Sequence, residues 1–135
     1  MRKLQLPPIS ERIRGFTIPE SGSMYVSDYD EIHKLTLGDP PTVEWIEGNP
    51  YAFEATPNYL GVTNASPILA AGGFKLSYAF DPKADVQDVV VASPTQTETI
   101  SFRTLSGDWF VATFSADAKY LVIAEPYAIE AYLLQ

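Results

Sequence analysis

Eleven prolines and eight glycines are spread through the 135 residues, and this punctuation constrains the chain more than any motif in it. Proline lacks the N–H that continues a helix, and glycine weakens the interior of any regular element, so only short elements fit between them. From Met24 onward the intervening runs are rich in Tyr, Val, Ile, Phe and Thr, side chains that suit a pleated, half-buried surface. The expected fold is therefore all-β: an antiparallel β-sandwich or barrel of about eight to ten short strands. The length suits one domain. Residues 24–135 are read as that domain and residues 1–23, interrupted by Pro7, Pro8, Gly15, Pro19 and Gly22, as an N-terminal arm in which Ile9 and Ile13 have the spacing of one helical turn.

Individual strands are legible. Met24 to Ser27 and Ile32 to Leu37 form an expected hairpin around Asp28-Tyr29-Asp30-Glu31, with Ile32, Lys34 and Thr36 on one face and His33, Leu35 and Leu37 on the other. Val43 to Ile46 is a further strand, ended by Gly48-Asn49-Pro50. Tyr51 to Ala55 and Tyr59 to Thr63 read as a second hairpin about Thr56-Pro57-Asn58. In Phe74 to Phe80 large apolar residues alternate with smaller or polar ones, the period of a half-buried strand. Val86 to Ala92 fits a strand or a short helix, and Thr99 to Thr104 alternates again. Trp109 to Phe114 is apolar on both faces, as in a strand covered on both sides. Pro126 divides the last segment into strands at Tyr120 to Ala124 and Ala128 to Leu134.

Offset by 61 residues, the chain matches itself at Phe53 and Phe114, Ala55 and Ala116, Tyr59 and Tyr120, and Leu60 and Leu121, with further pairs to Ala70 and Ala131. The stretch Phe114-Ser115-Ala116-Asp117-Ala118-Lys119-Tyr120-Leu121 resembles the strand–turn–strand step of a β-propeller blade, with Ala118 where glycine is commonest. The resemblance implies an alternative: propeller-blade-like sheets completed by oligomerisation, because the chain is too short for four or more four-stranded blades of its own.

The charge balance narrows the partners. Nine Lys and Arg against 17 Asp and Glu leave a net charge of -8, and no basic stripe follows Arg14, so neither nucleic acid nor an anionic membrane surface is an expected partner. There is no cysteine, which removes thiolate nucleophiles, disulfides and Cys-ligated zinc. The opening residues lack the apolar run of a secretory signal, and no stretch approaches a membrane span. The cytoplasm is the expected compartment. Asn64-Ala65-Ser66 matches a glycosylation acceptor but reads there as a turn.

His33 is the single histidine, so one chain builds neither a Cys–His pair nor a histidine-rich zinc site. No Gly-x-Ser-x-Gly turn accompanies it, and Gly72-Gly73 lacks the lysine and spacing of a phosphate loop. The acidic clusters Asp28, Asp30, Glu31 and Asp81, Asp85, Asp88 fall in expected turns, where aspartate bonds its local backbone. Catalytic residues, metal ligands and cofactors are accordingly expected to be absent. The ligand-binding candidates are aromatic: Tyr29, Trp45, Tyr51, Trp109 and Tyr127, residue types that serve as protein-binding hot spots or sugar-stacking platforms. The expected function is a non-enzymatic protein-binding or assembly module, its partners including a second copy of itself as a homo-oligomer. A carbohydrate-binding module and a carboxylate-only hydrolase are the alternatives.

Overall fold

A computed structural model of the chain describes residues 1–9, 12–63 and 66–134. The elements are β1 (Arg2–Lys3), β2 (Ile13–Thr17), β3 (Ser23–Asp28), β4 (Ile32–Thr36), β5 (Thr42–Ile46), helix α1 (Pro50–Phe53), β6 (Tyr59–Gly61) and β7 (Ala70–Ala71). They continue with β8 (Phe74–Ser77), β9 (Val86–Ala92), β10 (Thr97–Arg103), β11 (Val111–Phe114), β12 (Tyr120–Glu125) and β13 (Ala128–Leu133). The all-β sandwich expected from the sequence is present, divided among the described residues into thirteen strands rather than eight to ten. The strands not expected are β1 and β7, pieces of two residues too short to carry a periodic signal, and β2, which lies in the segment read as an arm.

Three antiparallel sheets form, with strand orders β5-β4-β3-β2-β6, β10-β9-β8-β7 and β1-β13-β12-β11. The last of these is central. Val111, Val122, Ala124 and Ala131 pack from one of its faces against Phe16, Met24, Val26, Leu35 and Leu60 of the first outer sheet. Ala112, Phe114, Leu121 and Ile123 pack from the other face against Leu76, Val89, Val91 and Phe102 of the second outer sheet. Successive residues of β12 thus alternate between two cores, which is why the segment reads as apolar throughout. The strand–turn–strand step between β11 and β12 forms as its resemblance implies, and Ala118 takes φ 61°, the left-handed conformation that glycine adopts freely. The order of the sheets differs from a propeller's: the sheet last in the chain lies between the other two.

The first hairpin and its faces are as expected, with Met24 opposite Leu35 and Val26 opposite His33. The second hairpin is not formed. Pro50–Phe53 is helical, because Asn49 caps it by accepting the Tyr51 N–H and Pro50 occupies the first turn, where its missing donor costs nothing. β6 pairs instead with β2. The self-match at 61 residues therefore joins unlike structures, since Phe53 is helical and Phe114 lies in a strand. β8 stops at Ser77, short of Phe80. Val86 to Ala92 is a strand. Segment 1–23 supplies β1 to the central sheet and β2 to the first outer sheet. The helical spacing of Ile9 and Ile13 runs through Ser10 and Glu11, and the acceptor triplet begins at Asn64 and Ala65; these four residues lie outside the described ones, while Ile13 and Arg14 are in strand. Among the described residues no helix is long and apolar enough to cross a membrane.

Candidate functional site

The site begins with an irregularity in β2. Against β3, Ile13 pairs with Asp28 and Gly15 with Ser27, so one extra residue, Arg14, is inserted in β2. Such a bulge bends the strand and re-aims the inserted side chain. On the other side of β2, Gly15 lies opposite Gly61 of β6. A Cβ at Gly15 would stand 2.3 Å from the Tyr59 hydroxyl and 2.4 Å from the Leu60 carbonyl oxygen. The two glycines let β2 and β6 approach closely at the point where Arg14 turns outward.

Three turns deliver tyrosines to this place. Tyr29 rides on the β3–β4 turn, which Asp28 fixes by accepting the N–H groups of Asp30 at 2.7 Å and Glu31 at 2.5 Å. Tyr51 rides on α1 behind its Asn49 cap. Tyr127 rides on the β12–β13 turn, and the Ile13 N–H donates to the Pro126 carbonyl at 2.6 Å, tying that turn to β2. The same turn is anchored by Glu125, a fully buried carboxylate that accepts the N–H groups of Leu105 at 2.9 Å, Ser106 at 3.2 Å and Tyr127.

The side chains converge as an alternating ladder, Tyr127, Arg12, Tyr29, Arg14, Tyr51. The Arg12 guanidinium carbon lies 6.0 Å from the Tyr127 ring centre and 5.1 Å from that of Tyr29, and Arg14 lies 5.1 Å from Tyr29 and 5.0 Å from Tyr51. These are cation–π distances. All three tyrosines remain exposed, Tyr51 by half. Arg14 is held from below by Glu54 through two bonds, Nε to Oε2 at 2.5 Å and Nη2 to Oε1 at 3.0 Å. The bond to Glu54 raises the Arg14 pKa further above its already high value, against the opposing effect of burial.

Compared with known family models, curated proteins and solved structures, this chain matches none.

Of the five aromatic candidates, then, Tyr29, Tyr51 and Tyr127 come together. Trp109 is buried in the core between the central and first outer sheets. Trp45 is exposed on β5, opposite His33, and among the described residues none of these stacking contacts includes it. His33 faces the core beside Leu35, its Nδ1 buried without a hydrogen-bond partner among the described residues. The acidic residues act locally: beyond Asp28, Asp81 fixes its turn by accepting the Lys83 N–H at 3.0 Å, whereas Asp88, expected in a turn, lies within β9 and accepts the hydroxyl of its cross-strand neighbour Ser101 at 2.8 Å. Among the described residues no group of three His, Cys, Asp or Glu side chains is placed to hold a metal ion. Arg12 and Arg14 are not among the sequence candidates, although two arginines two apart in a chain with nine basic residues are a visible signal. Beside the ladder's sheet, Thr17, Glu20, Tyr25, Phe53, Thr56 and Asn58 line an open cleft of about 320 Å³.

Proposed function

We propose that this chain is a non-enzymatic protein-binding module whose contact surface is the tyrosine–arginine ladder. The single observation that supports this reading is the convergence of three exposed tyrosines on two arginines. Tyrosine and arginine are the residues enriched in binding hot spots. The ladder is also braced before any partner arrives: its rings are on short, capped or pinned turns, and Arg14 is bonded twice to Glu54. Fixed side chains lose little freedom on binding, which leaves more of the contact energy as affinity. A chain without cysteine holds its fold equally in a reducing compartment, and the cytoplasm is the compartment proposed for it.

The test is quantitative capture of binding proteins by the intact chain and by the Tyr29→Ala/Tyr127→Ala double variant, followed by affinity measurement with the purified partner. Both residues are exposed, so the variant should melt with the wild type. A partner bound at least about tenfold more weakly by the variant supports the reading. Equal retention of every captured protein would discard it, as would turnover in a substrate screen.

The cleft favours a second reading, carbohydrate binding. Tyr25 and Phe53 lie 5.3 Å apart at its wall, with the hydroxyls of Thr17 and Thr56, the Asn58 amide and the Glu20 carboxylate around them. Its volume is at the lower end of the roughly 300–1,000 Å³ of small-molecule sites. A glycan array separates this reading from the first.

A further inference from the structure

The sheet edges are unequal. β1 and β7 end their sheets with two residues each and β6 with three. β11 is engaged on its outer side, where the Phe114 N–H donates to the Ile68 carbonyl at 3.0 Å and the Ile68 N–H to the Thr113 hydroxyl at 2.9 Å. β5 has five residues and starts directly after Pro40-Pro41. β10 is different: seven residues, Thr97–Arg103, paired with β9 in unbroken register and, among the described residues, with no strand on the other side. Edge strands are ordinarily guarded by proline, lysine, a bulge or shortness. β10 has no proline, lysine or bulge and is not short, and its two charges, Glu98 and Arg103, are of opposite sign. Its one inward charge, Glu98, is answered within the chain by the Met1 ammonium at 4.0 Å.

We propose that β10 pairs antiparallel with β10 of a second copy across a two-fold axis at Ile100, joining two four-stranded sheets into one of eight. The pairing names a second copy as a partner and uses a surface apart from the tyrosine–arginine ladder, so either proposal can fail without the other. The strand is self-complementary in this register. All seven residues engage and like faces meet, because residues two apart share a face and the axis passes through a residue. On the solvent face Thr99 meets Ser101 and Thr97 meets Arg103; on the core face Ile100 meets itself and Glu98 meets Phe102. Hydroxyl and β-branched pairs of this kind stabilise antiparallel neighbours. Glu98 and Arg103 cancel, so the strand is neutral in a chain of net charge -8. The remaining charge repels a second copy at long range, and salt therefore strengthens the dimer. Seven residues a side are fewer than the roughly 20–30 of a standard interface, so the association is weak and concentration-dependent.

Sedimentation velocity of the intact chain over a micromolar concentration series should show a monomer–dimer equilibrium that tightens with added salt. In Thr99→Lys/Ser101→Lys, lysines face each other across the axis at positions exposed in the monomer, and the dimer should weaken by at least about tenfold with melting nearly unchanged, the exposed bond from Ser101 to Asp88 giving way to a lysine beside that carboxylate. The absence of cysteine makes a second test clean. Ile100→Cys should form a disulfide-linked dimer under mild oxidation, whereas Thr97→Cys, about 20 Å from its own copy across the axis, should not. A monomer at every concentration, a dimer indifferent to the lysines, or equal cross-linking at both positions would overturn the proposal.

Discussion

The two outer sheets lean on the same central sheet and solve different problems. In the first, a bulge, a close-packed glycine pair and a four-residue helix break the ladder and turn Arg14 and three tyrosines to one place. In the second, β9 and β10 run seven residues in perfect register, and what faces solvent at the edge is unpaired backbone. Irregularity presents side chains; regularity presents main chain. The cores beneath them differ too. The first is aliphatic apart from Met24, Phe16, Trp109 and the partly buried Tyr120, while in the second Phe110 touches Tyr78 edge-on at 5.5 Å, Phe80 at 6.2 Å and Phe102 at 5.6 Å.

The largest expected effect breaks the second region alone. Phe110→Ala removes the ring on which three others converge and should cost about 3–5 kcal/mol in urea unfolding. If the outer sheets are energetically separate, hydrogen exchange will rise in β8 to β10 while β3 and β4 stay protected. Equal loss of protection in both would erase the distinction.

Gly15→Ala tests the first region. Its new methyl meets the Tyr59 hydroxyl and the Leu60 backbone at distances no relaxed Cβ shows, and about 2–3 kcal/mol should be lost. A neutral result would mean that β2 and β6 need not approach so closely, and that the bulge rather than the glycine pair sets the position of Arg14.

How much of this was readable beforehand follows the same division. β3, β4, β8, β10, β12 and β13 are legible from alternation or from a proline between runs, because one face of each turns toward a core and pattern follows burial, whereas Val86 to Ala92, which forms β9, suits a short helix as well. β12 placed Leu121 and Ile123 in one core and Val122 and Ala124 in the other, as its uninterrupted apolarity demanded. The stretch from Tyr51 to Thr63 misled, since its apolar residues suit a hairpin and only Asn49-Pro50 signals a helix start. The ladder was half legible: Tyr29, Tyr51 and Tyr127 stood out as aromatics in turn-rich sequence, but their convergence depends on a bulge and on the Ile13 to Pro126 hydrogen bond, which link positions more than a hundred residues apart. Nothing local encodes that.

A sharper comparison comes from Glu54→Gln. The substitution keeps the shape beneath Arg14 but removes the countercharge, leaving a mostly enclosed guanidinium with weaker partners. A loss of about 1–2 kcal/mol is expected, with stacking on Tyr29 and Tyr51 loosened and visible as increased tyrosine side-chain mobility by NMR.

Tyr59 links the glycine pair to solution pH. Burial pushes its hydroxyl up to about 12, opposed by its bond to Ser27 at 3.1 Å. Because the folded-state value exceeds the ordinary 10.0, the contribution of neutral Tyr59 is complete below that ordinary value and is lost as pH rises toward the folded one. Tyr59→Phe should cost about 1 kcal/mol at neutral pH through the lost hydrogen bond, and its stability should fall less than the wild type's between pH 10 and 12. Parallel alkaline limbs would show that other groups dominate there.

The smallest effect lies in the central sheet that the two regions share. Ala118 holds φ 61° in a turn where Ser115 accepts the Tyr120 N–H at 3.0 Å and Asp117 accepts the Lys119 N–H at 3.1 Å. The bond from the Ser115 hydroxyl holds the Asp117 carboxyl below its usual pKa, so the turn is already well fastened and the left-handed alanine is its one strained member. Glycine relieves that strain at some cost in chain entropy, and Ala118→Gly should raise stability by about 0.5–1 kcal/mol. The gain should come without any change in exchange protection of either outer sheet, because the Ala118 methyl abuts Gly72 in the turn between β7 and β8 rather than a strand, and β11 and β12 keep their register. A change confined to one outer sheet would instead mean that this turn sets how that sheet docks, making the shared centre, rather than each sheet's own irregularity, the source of the difference between them.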